Sequence, residues 1–227
     1  MNFCFIRSVR HLRAFTMTEL TIVILAMVIL AMLFVPRFLQ AKAKSARIAC
    51  VGRLKQIGLA HKVFANDLTN PVTRLGDFTM QLSTNHGGTL EFVGTGKVAA
   101  HYQNMVTEVG SPKILVCPDD KDRIMRSDFL PPFNNCNVSY AIGVDASVFL
   151  PNTILASDNH MTSSLPRKGS IIELSASNLV SWTRQMHAGA GNICLSDGSV
   201  LQVNNSNLWH QVSLAIASAP TNRLEFP

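Results

Sequence analysis

The chain is poor in charge. Only 15% of its residues are Asp, Glu, Lys or Arg. It carries two Trp and two Tyr, and no basic stripe with interleaved aromatics, so nucleic-acid binding is not expected. It lacks G-x-S-x-G and H-E-x-x-H, and no serine or histidine sits at a spacing that argues for a nucleophile with its base. An enzyme is therefore not expected. The net charge of +6 is no signature of a polyanion partner either. Arg7, Arg10 and Arg13 supply three of those charges in a leader without acids, and the chain after residue 14 carries 17 basic and 14 acidic groups, or +3.

What the chain does have is one long apolar run, Phe15–Val35, with Glu19 as its sole formal charge. A bilayer core is crossed by about 20 apolar residues in a helix. A carboxylate in such a segment costs about 2.5–3.5 kcal/mol on insertion scales, so Glu19 is a functional candidate. The preceding residues 1–14 are basic, the form of an export leader. Three fates are open: a cut after the run, no cut and a plain anchor, or a cut before the run that leaves the apolar helix on the mature chain. The one A-x-A site, Ala41-Lys42-Ala43, lies beyond Pro36 and Arg37. Basic residues flank both sides of the run, so charge counting does not place the leader inside.

Past the run, Pro36 removes a backbone donor and is expected to kink the helix. Residues 36–65 stay helical in pattern. Cys50, Leu54, Ile57, His61 and Phe64 share one face, and Lys44, Lys55 and Lys62 another. This predicts an amphipathic continuation packed on a domain at 66–227. His61 reads as a core histidine rather than a metal ligand. In the domain, strands are expected at Thr89–Val93, Ile114–Val116, Val138–Ile142, Thr153–Ala156, Ile171–Leu174 and Val180–Trp182. Helices are expected after Gly96 and over Leu208–Ala217. Asp197-Gly198 between two apolar-rich runs predicts a hairpin, with Cys194 facing away from Ile193 and Leu195. The fold class is α+β, a long N-terminal helix on an antiparallel sheet.

Four cysteines follow the leader, and three complete pairings are open. A Cys117–Cys136 disulfide would close a short loop and contribute about 3 kcal/mol. Cys50–Cys117 is the rival that would staple helix to domain. Asp119, Asp120 and Asp122 offer the oxygen ligands calcium takes, with a solvated turn as the plainer reading. His187 with Asp197, and Asp158 with His160, lack the spacing of a recognised zinc site and read as hairpin and turn residues.

Arg13-Ala14-Phe15-Thr16-Met17-Thr18-Glu19-Leu20 resembles the class III signal of type IV pilins and type II secretion pseudopilins, with Ala14 where that signal usually has Gly. The Cys117-Pro118-Asp119 turn, Asn137-Val138-Ser139-Tyr140, and His187 to Val200 with its Asp197-Gly198 resemble the C-terminal part of a large bacterial group of pilin-like proteins. The resemblance implies cleavage between Ala14 and Phe15 by a prepilin peptidase, methylation of Phe15, and a Glu19 that sets register against a neighbour's new amine. It implies a structural subunit of a pilus-like filament, most closely a pseudopilin. Other pilin-like subunits, an inner-membrane assembly platform and lipid would be its partners. The chain would be held in the bacterial inner membrane by one pass, with its domain extracytoplasmic. The other expectation is a membrane-tethered binding domain that does not polymerise.

Overall fold

The computed structural model describes residues 16–66 and 78–227. The proposed leader and the cut site at Ala14 and Phe15 lie outside the described residues, as do residues 67–77. The chain divides into two compact units with the boundary after Lys42.

Helix α1 is Met17–Ala65, 49 residues, and its helical backbone runs on through position 36. It begins with a reciprocal cap. The Glu19 amide donates to Thr16 Oγ1 at 3.3 Å, while Glu19 Oε2 accepts from the Thr16 amide at 2.9 Å and its hydroxyl at 3.0 Å. This is the T-x-x-E capping box, which satisfies amides that the first helical turn leaves orphaned. Thr21 returns its hydroxyl to the Thr18 carbonyl at 2.9 Å, so local bonds absorb this polarity within the apolar run. In the first unit the side chains of residues 17–35 are exposed, Met17, Ile22, Leu25, Leu33 and Phe34 among them. The stretch is long and apolar enough to cross a membrane.

In the second unit the same helix changes character. Cys50, Leu54, Ile57 and His61 are fully buried, as their common face predicts, while Lys44 and Lys55 stay exposed. Gly58 lies where the helix meets the sheet. A Cβ there would sit 2.6 Å from Cys194 Sγ, so no larger residue fits without movement. Lys62 Nζ donates to the Asp197 carbonyl at the hairpin tip.

Two short helices follow, α2 (Val98–Gln103) and α3 (Val106–Val109), in place of the single helix expected after Gly96. The strands are β1 (Tyr140–Gly143), β2 (Ile154–Asp158), β3 (Met161–Ser163), β4 (Ile171–Glu173), β5 (Val180–Trp182), β6 (Gly191–Leu195), β7 (Val200–Val203) and β8 (Arg223–Glu225). Helix α4 (Asn205–Ser218) lies between β7 and β8. Six strands form one antiparallel sheet in the order β4-β8-β1-β2-β6-β7; β3 and β5 pair separately. The fold is α+β.

The sheet separates two cores. One gathers Cys50, Leu54 and Ile57 of α1 with Tyr102, Tyr140, Ile142 and Cys194. The other gathers Leu208 and Val212 of α4 with Ile193, Leu195 and Leu224. Strand alternation makes the division: Cys194 faces the first core while its neighbours on β6 face the second. Gly198 turns the β6–β7 hairpin at φ 85°, helped by the Ser199 amide donating to Asp197 Oδ1 at 2.7 Å.

Two expected strands are turns instead. Thr89–Val93 holds a 3-10 turn at Leu90–Phe92. The run before Cys117 is a 3-10 turn over Pro112–Leu115, with Pro in its first turn and the Ser111 hydroxyl accepting from the Lys113 amide. Capping chemistry there prevails over the β-branched pattern. Strands β3 and β8 were not anticipated. Strand β8 carries a buried carboxylate, Glu225, which accepts from the Gly94 and Gly96 amides at 3.1 and 2.7 Å and lies 3.6 Å from His101 Nε2.

Candidate functional site

On the α1 side of the sheet, four distant segments place ionisable side chains in one buried cluster. Cys50 comes from α1, inside the apolar stripe. Cys117 and Asp119 come from the turn after Pro112–Leu115. Asp158 is the last residue of β2, and His187 lies in the β5–β6 connection. Cys50, Cys117, Asp158 and the His187 side chain are each at most 1% exposed. His187 and Ala188 both adopt left-handed backbone, at φ 51° and 57°. Non-glycine residues reach that region at a cost of about 1–3 kcal/mol, so the surrounding contacts must hold it. The His187 amide donates to Asp119 Oδ2 at 2.8 Å, and that same oxygen is 3.3 Å from His187 Nδ1.

With Nδ1 turned to Asp119, Nε2 points inward. It is 3.5 Å from Cys117 Sγ and 3.6 Å from Asp158 Oδ2. Cys50 Sγ is 3.1 Å from Asp158 Oδ1 and 3.2 Å from the Tyr140 hydroxyl. Asp158 Oδ2 accepts from the Asn192 amide at 2.8 Å and from Asn192 Nδ2 at 3.0 Å. The donor atoms of Cys50, Cys117 and His187 lie within 4.8 Å of one another, a set that can hold a metal ion.

The electrostatics follow from burial and proximity. Burial pushes the Cys50 thiol well up, reinforced by the Cys117 and Asp158 charges. Cys117 moves the other way, because its contacts with Cys50 and then His187 favour its charged form against burial. Burial lifts Asp158 to about 7, against the pull of His187 and the Asn192 amide. Burial opposes charge on His187, yet its bond with Cys117 and the Asp158 and Asp119 charges outweigh that and raise its pKa. The contact between Cys117 and His187 thus moves each toward its charged form. Cys117, His187 and Asp119 also have the order of a nucleophile, base and orienting acid. The groove of about 520 Å³ beside them is lined by Arg47, Ile48, Asp119 and His187, and by neither sulfur.

The expected Cys117–Cys136 bridge is not formed. All four described cysteines are free, and Cys136 is exposed in a 3-10 turn while Cys117 is buried. Its rival partner Cys50 is the residue brought beside Cys117, without a bond between them. Asp119, Asp120 and Asp122 do not converge as a calcium cage. Asp119 holds His187; Asp120 accepts from Asn159 at 3.2 Å and from the Asp122 amide at 3.1 Å. The cleft beside them, about 420 Å³, is also edged by Lys121, Arg123 and Arg167. His61 is a core histidine as expected, edge-on to Phe78 and Tyr102, but neither ring nitrogen has a partner among the described residues. Burial drives its pKa down to about 3.

Sequence spacing set Asp158 against His160 and His187 against Asp197. The fold instead joins Asp158 to His187. The signal that could have found the cluster is Cys50 at the centre of an apolar stripe. Set against known families, curated proteins and solved structures, the chain matches no family model, no curated protein and no solved structure.

Proposed function

We propose that the protein is a structural subunit of a pilus-like filament, of the type II secretion pseudopilin kind. One observation carries the reading: a single helix whose apolar first part is exposed and whose second part is built into the core of an α+β domain. An exposed apolar surface of that length needs lipid or neighbouring helices to cover it. In this reading a prepilin peptidase cuts between Ala14 and Phe15. The helix rests in the bacterial inner membrane with the domain outside the cytoplasm, then packs against other pilin-like subunits on an assembly platform. Glu19 sets the stagger between subunits. No catalytic role is proposed.

Mass spectrometry of the mature N-terminus tests it. A methylated Phe15 supports the reading; an intact Met1, or a start near Ser45, overturns it. The Glu19–Thr16 cap favours a second reading, a tethered domain that never polymerises, because it gives the carboxylate a role within its own chain. Glu19→Ala separates the two: failure of assembly with normal insertion supports the filament, and normal assembly contradicts the register role.

A further inference from the structure

We propose that Cys50, Cys117, His187 and Asp158 form a closed, structural zinc site that ties α1 to the sheet domain. Three donors, Cys50 Sγ, Cys117 Sγ and His187 Nε2, lie within 4.8 Å of one another, and Asp158 lies against them. A tetrahedron with zinc–sulfur bonds of about 2.3 Å and zinc–nitrogen or zinc–oxygen bonds of about 2.0–2.1 Å has edges of roughly 3.3–3.8 Å. Cys117 Sγ to His187 Nε2 is 3.5 Å, and Asp158 spans the remaining side with its two oxygens, Oδ2 3.6 Å from His187 Nε2 and Oδ1 3.1 Å from Cys50 Sγ. The donor types fit as well. Two thiolates exclude calcium and magnesium, and an imidazole and a carboxylate beside them suit a borderline-soft d¹⁰ cation over copper(I).

The surroundings of each donor are already in place. Asp119 accepts from His187 Nδ1, the arrangement that turns Nε2 and its lone pair toward a metal. Asn192 occupies Asp158 Oδ2 with two donors and leaves Oδ1 facing Cys50. The Tyr140 hydroxyl lies 3.2 Å from Cys50 Sγ, placed to donate to a thiolate there. Every donor is buried, so no coordination position opens to solvent. That is the mark of a structural rather than a catalytic ion. On binding, each thiol releases its proton to solvent as its sulfur–zinc bond forms, and no electron is transferred. The ion cross-links residues 50, 117, 158 and 187, doing for the helix–domain junction what a disulfide does between two points. The site stands whether the chain polymerises or is only tethered.

The test uses the full chain, purified in detergent under reducing conditions. Elemental analysis should find one zinc per chain that survives dialysis. Cobalt(II) added to the metal-free chain should give thiolate-to-metal charge transfer and the intense ligand-field bands of a tetrahedral site. Cys117→Ser and His187→Ala should abolish both. Asp119→Asn keeps all four ligands and should weaken zinc binding about 10–100-fold, so the site is still read if the other variants misfold. Cys136→Ser, at an exposed cysteine, should change nothing. Substoichiometric zinc without cobalt charge transfer overturns the proposal. So does full zinc retention by Cys117→Ser, or a Cys50–Cys117 disulfide mapped in chain recovered from the exported compartment.

Discussion

The two faces of the main sheet are built on opposite principles. The α4 face is an apolar core, with Leu208 and Val212 meeting Ile193, Leu195 and Leu224. The α1 face buries Cys50, Cys117, Asp158, His187 and His61 among its apolar side chains. Apolar packing stabilises without regard to pH or ligands; buried ionisable groups stabilise only when their partners and protonation states are right. The α4 face is therefore the permanent half of the domain and the α1 face the conditional half.

The largest expected effect lies on the permanent face. Leu208→Ala removes a fully buried side chain and should cost about 2–5 kcal/mol. Denaturant unfolding should show the same loss with and without a chelator. A chelator-dependent loss would mean that the two faces are not independent.

Acid should act on the α1 face. The His61 pKa falls from its ordinary 6.5 to about 3 in the folded chain, because burial disfavours the charged ring. The unfolded chain then binds the proton first. Stability is full above pH 6.5 and is lost as pH falls from there toward 3, at about 1.4 kcal/mol per pH unit for this one group. Glu225 adds the same sign: burial opposes its charge, but bonds from His101 and the Gly94 and Gly96 amides lower its pKa on balance. Unfolding measured from pH 7 to 4 should show a slope that His61→Phe reduces by about one proton. An unchanged slope would remove His61 from the conditional half.

Packing between α1 and the sheet supplies the next test. Gly58→Ala places a methyl 2.6 Å from Cys194 Sγ and should cost about 1–3 kcal/mol, with Cys194→Ala restoring most of it. If the double variant recovers nothing, the close approach is not the cause. The smallest effect is a gain. At neutral pH, His61→Phe removes two unpartnered ring nitrogens and should stabilise by about 1 kcal/mol, read as a raised midpoint in thermal unfolding.

The sequence carries the local parts of this structure well. The end of α1 at Ala65, the turn at Asp197-Gly198 and strand β5 at Val180–Trp182 are written in short-range patterns of stripe, turn residue and β-branching. It misleads at Ile114–Val116, where three apolar residues read as a strand but Ser111 and Pro112 wind them into a 3-10 turn. It also conceals Thr16 as the partner of Glu19, because the apolar run draws attention from a cap at its edge. The buried cluster lies beyond such patterns. Its residues were visible singly, but their pairing depends on which β-strands neighbour each other, and β2 meets β6 only after a long excursion of the chain.

The cap at the start of α1 changes what assembly would mean. In the filament reading the mature chain starts one residue before Thr16, and a helix N-terminus disfavours a cation. Glu19, three residues on from Thr16, is already bonded to it. Joining a neighbour is then an exchange of partners, in which one carboxylate releases a bond inside its chain to accept one from outside. The difference between those two bonds, rather than the full value of either, would set how firmly adjacent subunits hold register.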